Sequence, residues 1–225
     1  AARRNREEYK KILNQLTFLF MSKYLGAKCK LCRREGEKLM LKGERCATAK
    51  CANVKKNYPP GLHGPKGRPR QSGYNIQLRE KQKAKRIYNL FEKQFKLTFQ
   101  KASQQKGDSG ENLLKLLETR LDNVIYRLGF VSSRSQAREL INHGHFKVND
   151  QVVNIPSYQV KPGQIIKIKE HSKNSKQFIN IEEKIKKTNI PGWIYYDLKT
   201  LTAKILHSPK KDNLESKINI HLIVE

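Results

Sequence analysis

Acidic residues are scarce in this 225-residue chain: 20 Asp+Glu stand against 47 Lys+Arg, a formal net charge of +27. That much positive charge repels itself unless a polyanion neutralises it, and nucleic acid is the common polyanion. Long apolar runs are missing as well. The longest, Leu16 to Met21, falls far short of the ~20 residues that cross a bilayer, so no membrane partner is expected. Glu7 and Glu8 precede that run and no small-residue cleavage site follows it, which argues against a secretory signal. A reducing, cytoplasmic setting is the default. There is no glycine-rich phosphate loop, no cofactor fingerprint and no Ser/His/Asp arrangement, so the sequence supports no enzyme. Cysteine is absent outside one 23-residue window.

The charge that is present is uneven. Residues 1–110 hold 28 Lys+Arg and 8 Asp+Glu, whereas residues 111–225 hold 19 and 12. Between 55 and 86, ten basic residues meet one acid, Glu80. The front half is thus the electrostatic arm and the back half a more ordinary module. Residues 53–79 carry Pro59, Pro60, Pro65 and Pro69 among Gly61, Gly64, Gly67 and Gly73. That punctuation predicts an extended basic arm rather than regular helix or central strand. With few apolar anchors, the arm is expected to order only on its nucleic-acid partner.

The fold class reads as α+β. Ala84, Ile87, Leu90, Phe91 and Phe95 recur at three- and four-residue spacing and predict a helix over 80–99. Leu113, Leu117, Leu121, Val124 and Leu128 form one stripe, predicting a helix over 111–128 capped by Ser109 and closed by Gly129. A shorter helix is expected from Arg134 to Asn142, with Ser133 and Gln136 at capping-box spacing and Gly144 just beyond. The period then changes to two. Phe146–Val148, Val153–Ile155 and Ile165–Lys169 read as strands, with a tight turn at Asn149-Asp150. A further helix over Asn174–Lys187 and strands at 193–196, 201–206 and 218–224 complete the reading.

The cysteines follow the pattern C-x2-C-x13-C-x4-C at Cys29, Cys32, Cys46 and Cys51. Two close pairs across a short loop suit a tetrahedral thiolate site with no open position, hence a structural metal. Zinc is the expected ion. An iron–sulfur cluster takes the same four ligands and is the alternative. Two disulfides would suit a secreted mini-domain, which a basic, signal-free chain is not. The segment from Gly26 to Ala52 has few apolar residues to offset its ordering cost, and a metal would substitute for the missing core. Lys28, Lys30, Arg33, Arg34 and Arg45 stand near these thiolates in sequence and would partly balance their charge.

Several stretches resemble bacterial small-subunit ribosomal protein number four. They include Lys28–Gly36, Lys42–Cys46, Pro59–Gly64, Gln77–Lys83, Leu117–Phe130, Ser133–Arg138, His143–His145, Ile155–Tyr158 and the terminal Leu222–Glu225. The likeness runs from about Met21 to Glu225. It departs at Ser72-Gly73-Tyr74, where the family often has Ser-Asp-Tyr, and at Asn149-Asp150, where it often has Asn-Gly. The resemblance implies five parts. Residues 1–20 are an extension with no assigned role, 21–52 a four-cysteine metal-binding unit and 53–79 the basic arm. Residues 80–118 plus 174–225 form a helical and mixed body, and 119–173 an inserted RNA-binding domain of two helices and three strands. It also implies a structural role in the small ribosomal subunit. That role is primary binding of rRNA at a multi-helix junction, nucleating assembly of the subunit body near the mRNA entry channel. Ribosomal proteins three and five would be neighbours, and some family members repress their own mRNA. The ribosome would be cytoplasmic, or alternatively organellar.

Expected RNA contacts fall in three groups. Lys28, Arg33, Arg34 and Arg45 surround the cysteines. His63, Arg68, Arg70, Tyr74, Arg79, Lys81 and Lys83 run through the arm into the next helix. There His63 and Tyr74, with Tyr58, offer rings for stacking on unpaired bases. Arg120, Arg127, Arg134, Gln136, Arg138, His143, His145 and Lys147 lie in the inserted domain. Arg134 and Arg138 sit one turn apart, and guanidinium forks suit phosphate geometry. On the residues alone such arginines read as solvated surface or as pairs with Glu139 or Asp122; the resemblance turns them towards RNA. The helix–helix–strand unit also looks like the module attached to rRNA-modifying enzymes, which makes that class the runner-up. A zinc-bearing DNA regulator is a third reading.

Overall fold

The computed structural model describes residues 24–67, 70, 72–173, 175, 178, 185, 188–197, 200–209 and 218–224. Residues 1–20, Arg68 and most of the helix expected over 174–187 lie outside them.

The cysteine segment folds as three short helices: α1 (Lys28–Glu35), α2 (Glu44–Ala47) and α3 (Ala52–Lys55). Gly36 stops α1 at φ +81°, its N–H returning to the Cys32 carbonyl at 2.8 Å. The following segment is folded back rather than free. The Arg33 guanidinium donates to the carbonyls of Lys56 at 3.1 Å, Tyr58 at 3.0 Å and Pro59 at 3.2 Å, and lies 4.7 Å over the Tyr58 ring. One Arg thus satisfies three carbonyls of a stretch that Pro59 and Pro60 keep out of any ladder.

The arm ends earlier than its composition predicts. Helix α4 (Gly73–Ile87) begins inside it, because the Ser72 hydroxyl accepts from the Asn75 N–H at the helix start. The helix expected over 80–99 is two helices. Tyr88–Phe91 breaks the run, with Asn89 at φ +55° and α5 (Glu92–Ser103) starting afresh after extended Phe91. The apolar spacing continues across the break because both helices feed one core. Glu92 ties them by accepting from Lys81 at 2.6 Å and Lys85 at 2.7 Å. These bonds hold its carboxyl down at about 2.

The stripe over 111–128 is likewise interrupted. Helix α6 (Ser109–Glu118) is capped by Asp108 rather than Ser109, its carboxylate accepting from Glu111 N at 2.8 Å. Helix α7 (Leu121–Arg127) follows extended Arg120. The break is bought by outside partners: Leu121 N donates to Tyr158 O, Asp122 N to Pro156 O and Val160 N to Thr119 O. Helix α8 (Arg134–Asn142) runs over the expected residues, with Ser133 capping Gln136 N.

Among the described residues, five strands form one antiparallel sheet in the order β2-β1-β3-β5-β4. They are β1 (Phe146–Val148), β2 (Gln151–Val152), β3 (Ile165–Ile168), β4 (Ile194–Asp197) and β5 (Thr202–Ile205). Asn149 and Asp150, at φ +47° and +67°, make the tight turn between β1 and β2. The sheet therefore exceeds the three strands expected. β3 pairs with β5 through Ile165↔Lys204 and Ile166↔Ala203, and β5 with β4, so these two strands join this sheet instead of the helical body expected over 174–225. A one-turn helix, α9 (Glu170–Lys173), leads away from β3.

Among the described residues, two apolar cores result. One packs α7 and α8 against the sheet and takes in Phe178, Ile185 and Trp193. The other joins α4, α5 and α6 with Leu39 from the cysteine segment and Ile218 from the tail. The strand expected over 218–224 is instead a one-turn helix, α10 (His221–Val224). Its alternating Ile218, Ile220, Leu222 and Val224 mimic a strand, but Ile218, Ile220 and Ile223 pack on the helical core. Asn219 N donates to Glu80 Oε1 at 2.7 Å and anchors the return.

Gly43 marks the approach of the cysteine segment to the sheet domain. It sits at φ +60°, and a Cβ there would lie 2.6 Å from both Ser132 Cβ and Ser132 O. Gly43→Ala combines a left-handed backbone with a backbone clash. The expected loss is about 1–3 kcal/mol, read from urea unfolding of the purified protein.

Candidate nucleic-acid interface

Two buried carboxylates, Glu118 and Asp122, organise the place where the helical body meets the sheet domain. Glu118, at the end of α6, is fully buried. It accepts from the Tyr88 hydroxyl at 2.7 Å, Asn123 Nδ2 at 2.7 Å, and Arg127 Nε and Nη2 at 3.1 and 2.7 Å. Asp122, on α7, accepts from Arg120 Nε at 3.1 Å and Nη2 at 2.9 Å, and from Arg138 Nη2 at 2.8 Å. Arg138 also donates to the Asn89 carbonyl at 2.9 Å, crossing to the turn between α4 and α5. Arg134 donates to Asn123 Oδ1 at 2.8 Å and lies between two rings, 5.0 Å from Tyr88 and 4.5 Å from Tyr126.

Burial alone would raise both carboxyls. For Asp122 the guanidiniums of Arg120 and Arg138 outweigh it, and for Glu118 those of Arg127 and Arg134 do, with the Arg127 and Tyr88 hydrogen bonds. Both stay below the usual carboxylate range, hence ionised at neutral pH. Burial pushes the Tyr88 hydroxyl far up, and the Glu118 charge adds to this, so Tyr88 remains a donor.

This arrangement corrects the expected roles of four arginines. Arg120, Arg134 and Arg138 are buried, at 6%, 8% and 7% exposure, and Arg127 is committed to Glu118. Their pattern along two helices is the same whether they face phosphate or an internal carboxylate. What sequence reasoning missed was the acceptor set, Glu118 with Asn123 and the Asn89 carbonyl; the signal was polar residues inside an otherwise apolar stripe. Gln136, also expected on RNA, accepts from Ser132 N at 3.1 Å and Ser132 Oγ at 3.0 Å.

The remaining expected contacts divide. Lys83 is buried and paired with Glu80 at 3.0 Å and Glu37 at 3.3 Å. Glu35, in turn, gathers Arg79 and Arg86. Lys28 Nζ donates to Ser135 Oγ at 2.8 Å, tying α1 to α8. Lys81 is held by Glu92. By contrast Arg34, Arg45, His63 and Arg70 are exposed, and Tyr74 is 74% exposed. His143 is exposed beside half-buried His145, their rings 6.3 Å apart. His145 Nδ1 meets Ser172 Oγ at 2.9 Å. Burial, then His143 and Lys169, push His145 below the usual imidazole value, so it is neutral at pH 7. Lys147 is partly exposed and points away from buried Phe146 and Val148, as expected.

The cysteines lie on α1, on α2 and at the start of α3, and all four thiols are unpaired. Burial pushes the Cys32 thiol up, and Cys46, Cys29 and Cys51 push it further, so the four sulfurs share one neighbourhood. Lys42 N donates to Cys46 Sγ at 3.3 Å. Among the described residues, however, no group of three or more Cys, His, Asp or Glu stands in metal-holding geometry.

Residues 23–118 match the model of the ribosomal protein S4/S9 N-terminal domain, and residues 119–166 match the S4 domain. The chain is 55% identical over 205 residues to small ribosomal subunit protein uS4 of Caldicellulosiruptor saccharolyticus, spanning 91% of this chain and 98% of the relative. The uS4 proteins of Pelotomaculum thermopropionicum and Clostridioides difficile are 51% and 50% identical over the same shares. The chain belongs to the uS4 family. Its relatives carry the names of ribosomal proteins, so neither the RNA-modifying enzyme nor the DNA regulator describes it. The boundary between the two uS4 family models, at 118/119, falls inside the Glu118–Asp122 network.

The buried network leads to two expected outcomes. Asp122→Ala strands the Arg120 and Arg138 charges and is expected to cost about 3–5 kcal/mol in denaturant unfolding. Both carboxyl pKa values are lower in the folded state than in the unfolded chain. The stabilisation is therefore complete above about pH 4–5 and lost as pH falls through the carboxylate range. Unfolding midpoints measured from pH 7 down to 3 should drop across that window, and the drop should be smaller in the Asp122→Ala variant.

Proposed function

We infer that the chain is a structural constituent of the small ribosomal subunit that binds its rRNA. The observation that carries this is 55% identity to a uS4 protein across nearly its full length, in a chain of net charge +27. The exposed cations divide the work with the buried ones. Arg34, Arg45, Arg70, Tyr74, His63, His143 and Lys147 offer charge and rings to RNA, while the buried arginines hold the two domains at a fixed angle. Phosphate contacts set affinity and orientation without reading sequence. A rigid pair of basic surfaces therefore suits a folded junction of several rRNA helices better than a single duplex. Position near the mRNA entry channel, contact with ribosomal proteins three and five, and repression of the chain's own mRNA belong to this reading as family properties.

The same reading includes a structural zinc held by Cys29, Cys32, Cys46 and Cys51. The donor set supports it: four unpaired thiols on three short helices, with a backbone N–H already directed at one sulfur. Bound zinc would take the thiols as thiolates and close the segment. An iron–sulfur cluster would use the same residues.

Footprinting of the purified protein on small-subunit rRNA tests the function; protection should gather at one multi-helix junction. Affinity should fall about 10³–10⁵-fold between 50 and 200 mM salt, and a flat response would count against phosphate-led binding. Metal analysis should find zinc in stoichiometric amount. Chelation should then expose residues 28–55 to protease while the sheet domain keeps its unfolding midpoint. Protein free of both zinc and iron would remove the metal from this account.

A further inference from the structure

We propose that the open face of the five-stranded sheet is a second RNA-contacting surface, one that takes an unpaired strand. Strands β1, β3 and β5 alternate. Phe146, Val148, Ile166, Ile168, Ala203 and Ile205 point into the core, so their neighbours point out. Register then brings those outward residues into rows. Lys147 stands opposite Lys167, which stands opposite Thr202 and then Asp197. In the adjacent row Lys204 stands opposite Ile165 on one side and Tyr195 on the other. Lys169 follows Lys167 by two residues and is exposed.

Four lysines thus share a face on which the acids are already engaged. Asp150 accepts from Lys167 at 3.1 Å, and Asp197 from Thr200 Oγ1 at 2.7 Å. Like charges directly across a strand pair destabilise the isolated sheet, and Asp150 offsets Lys167 alone, so folding gives no reason for Lys147 to stand opposite it. A polyanion does. Protein interfaces are poor in lysine, which disfavours a protein occupant. The aromatic selects the form of the RNA. Tyr195 is 58% exposed beside Lys204, and a ring next to a cation is the element that stacks on splayed bases. Bases in a duplex are not available to it.

This inference rests on the rRNA-binding reading, so its test keeps the two apart. The triple variant Tyr195→Ser, Lys169→Gln, Lys204→Gln changes only outward residues that were not among the expected contacts. On purified small-subunit rRNA, the slope of log affinity against log salt should fall by about 1.4 for two lost single-strand phosphate contacts. Ultraviolet irradiation of the wild-type complex should crosslink Tyr195 to RNA, and the free variant should melt with the wild type. If the triple variant melts lower, Lys204→Gln alone carries the slope measurement. An unchanged slope with no Tyr195 crosslink, while the wild type still binds rRNA, overturns the proposal. So does unchanged rRNA affinity combined with loss of the variant from assembled subunits, which would give the face to a protein neighbour. A wild type that does not bind rRNA at all overturns the function itself.

Discussion

Two negative charges buried among guanidiniums decide how this basic protein holds its shape. A chain with more than twice as many cations as anions has every reason to expand. Glu118 and Asp122 reverse that locally, drawing in Arg120, Arg127, Arg134 and Arg138 where α6, α7 and α8 meet. The charges are desolvated, so each depends on its partners far more than a surface pair would. Tyr88, Asn89 and Asn123 satisfy the remaining hydrogen-bonding positions and carry the network into the helical body. Binding energy from RNA is then available for recognition, since the angle between the two basic units is set before RNA arrives.

The same logic recurs at smaller scale. Glu35 collects Arg79 and Arg86, Glu92 collects Lys81 and Lys85, and Glu37 with Glu80 takes Lys83. Glu35 and Glu92 each neutralise two cations where helices pack, and Glu37 and Glu80 share one. Exposed cations are left to a partner outside the chain. Where apolar residues run short, as between Gly26 and Ala52, Cys32, Cys46 and Cys51 are buried along with Leu39. The tail closes the body from the other end, with Ile218 in the core that α4, α5 and α6 share.

Sequence by itself determined a good deal. Period-two and period-3.6 patterns located α8, β1, β3, β4 and β5, because those patterns arise from one buried face whatever the partner. Net charge determined the class of partner, since no rearrangement of the fold removes a surplus of cations. Tertiary structure alone decided the rest. A continuous apolar stripe does not record a helix break when both halves enter the same core, so the breaks at Tyr88 and Arg120 were invisible. Arg134 and Arg138 have the same helical spacing whether they meet phosphate or, as here, Asn123 and Asp122, and only the arrival of α7 and the Asn89 turn settles which. The tail at 218–224 alternates like a strand yet forms a helical turn, because the surface waiting for it is a helical core and not a sheet edge. Periodicity reports which side of a segment is dry; what lies on that side is fixed only when distant parts of the chain meet.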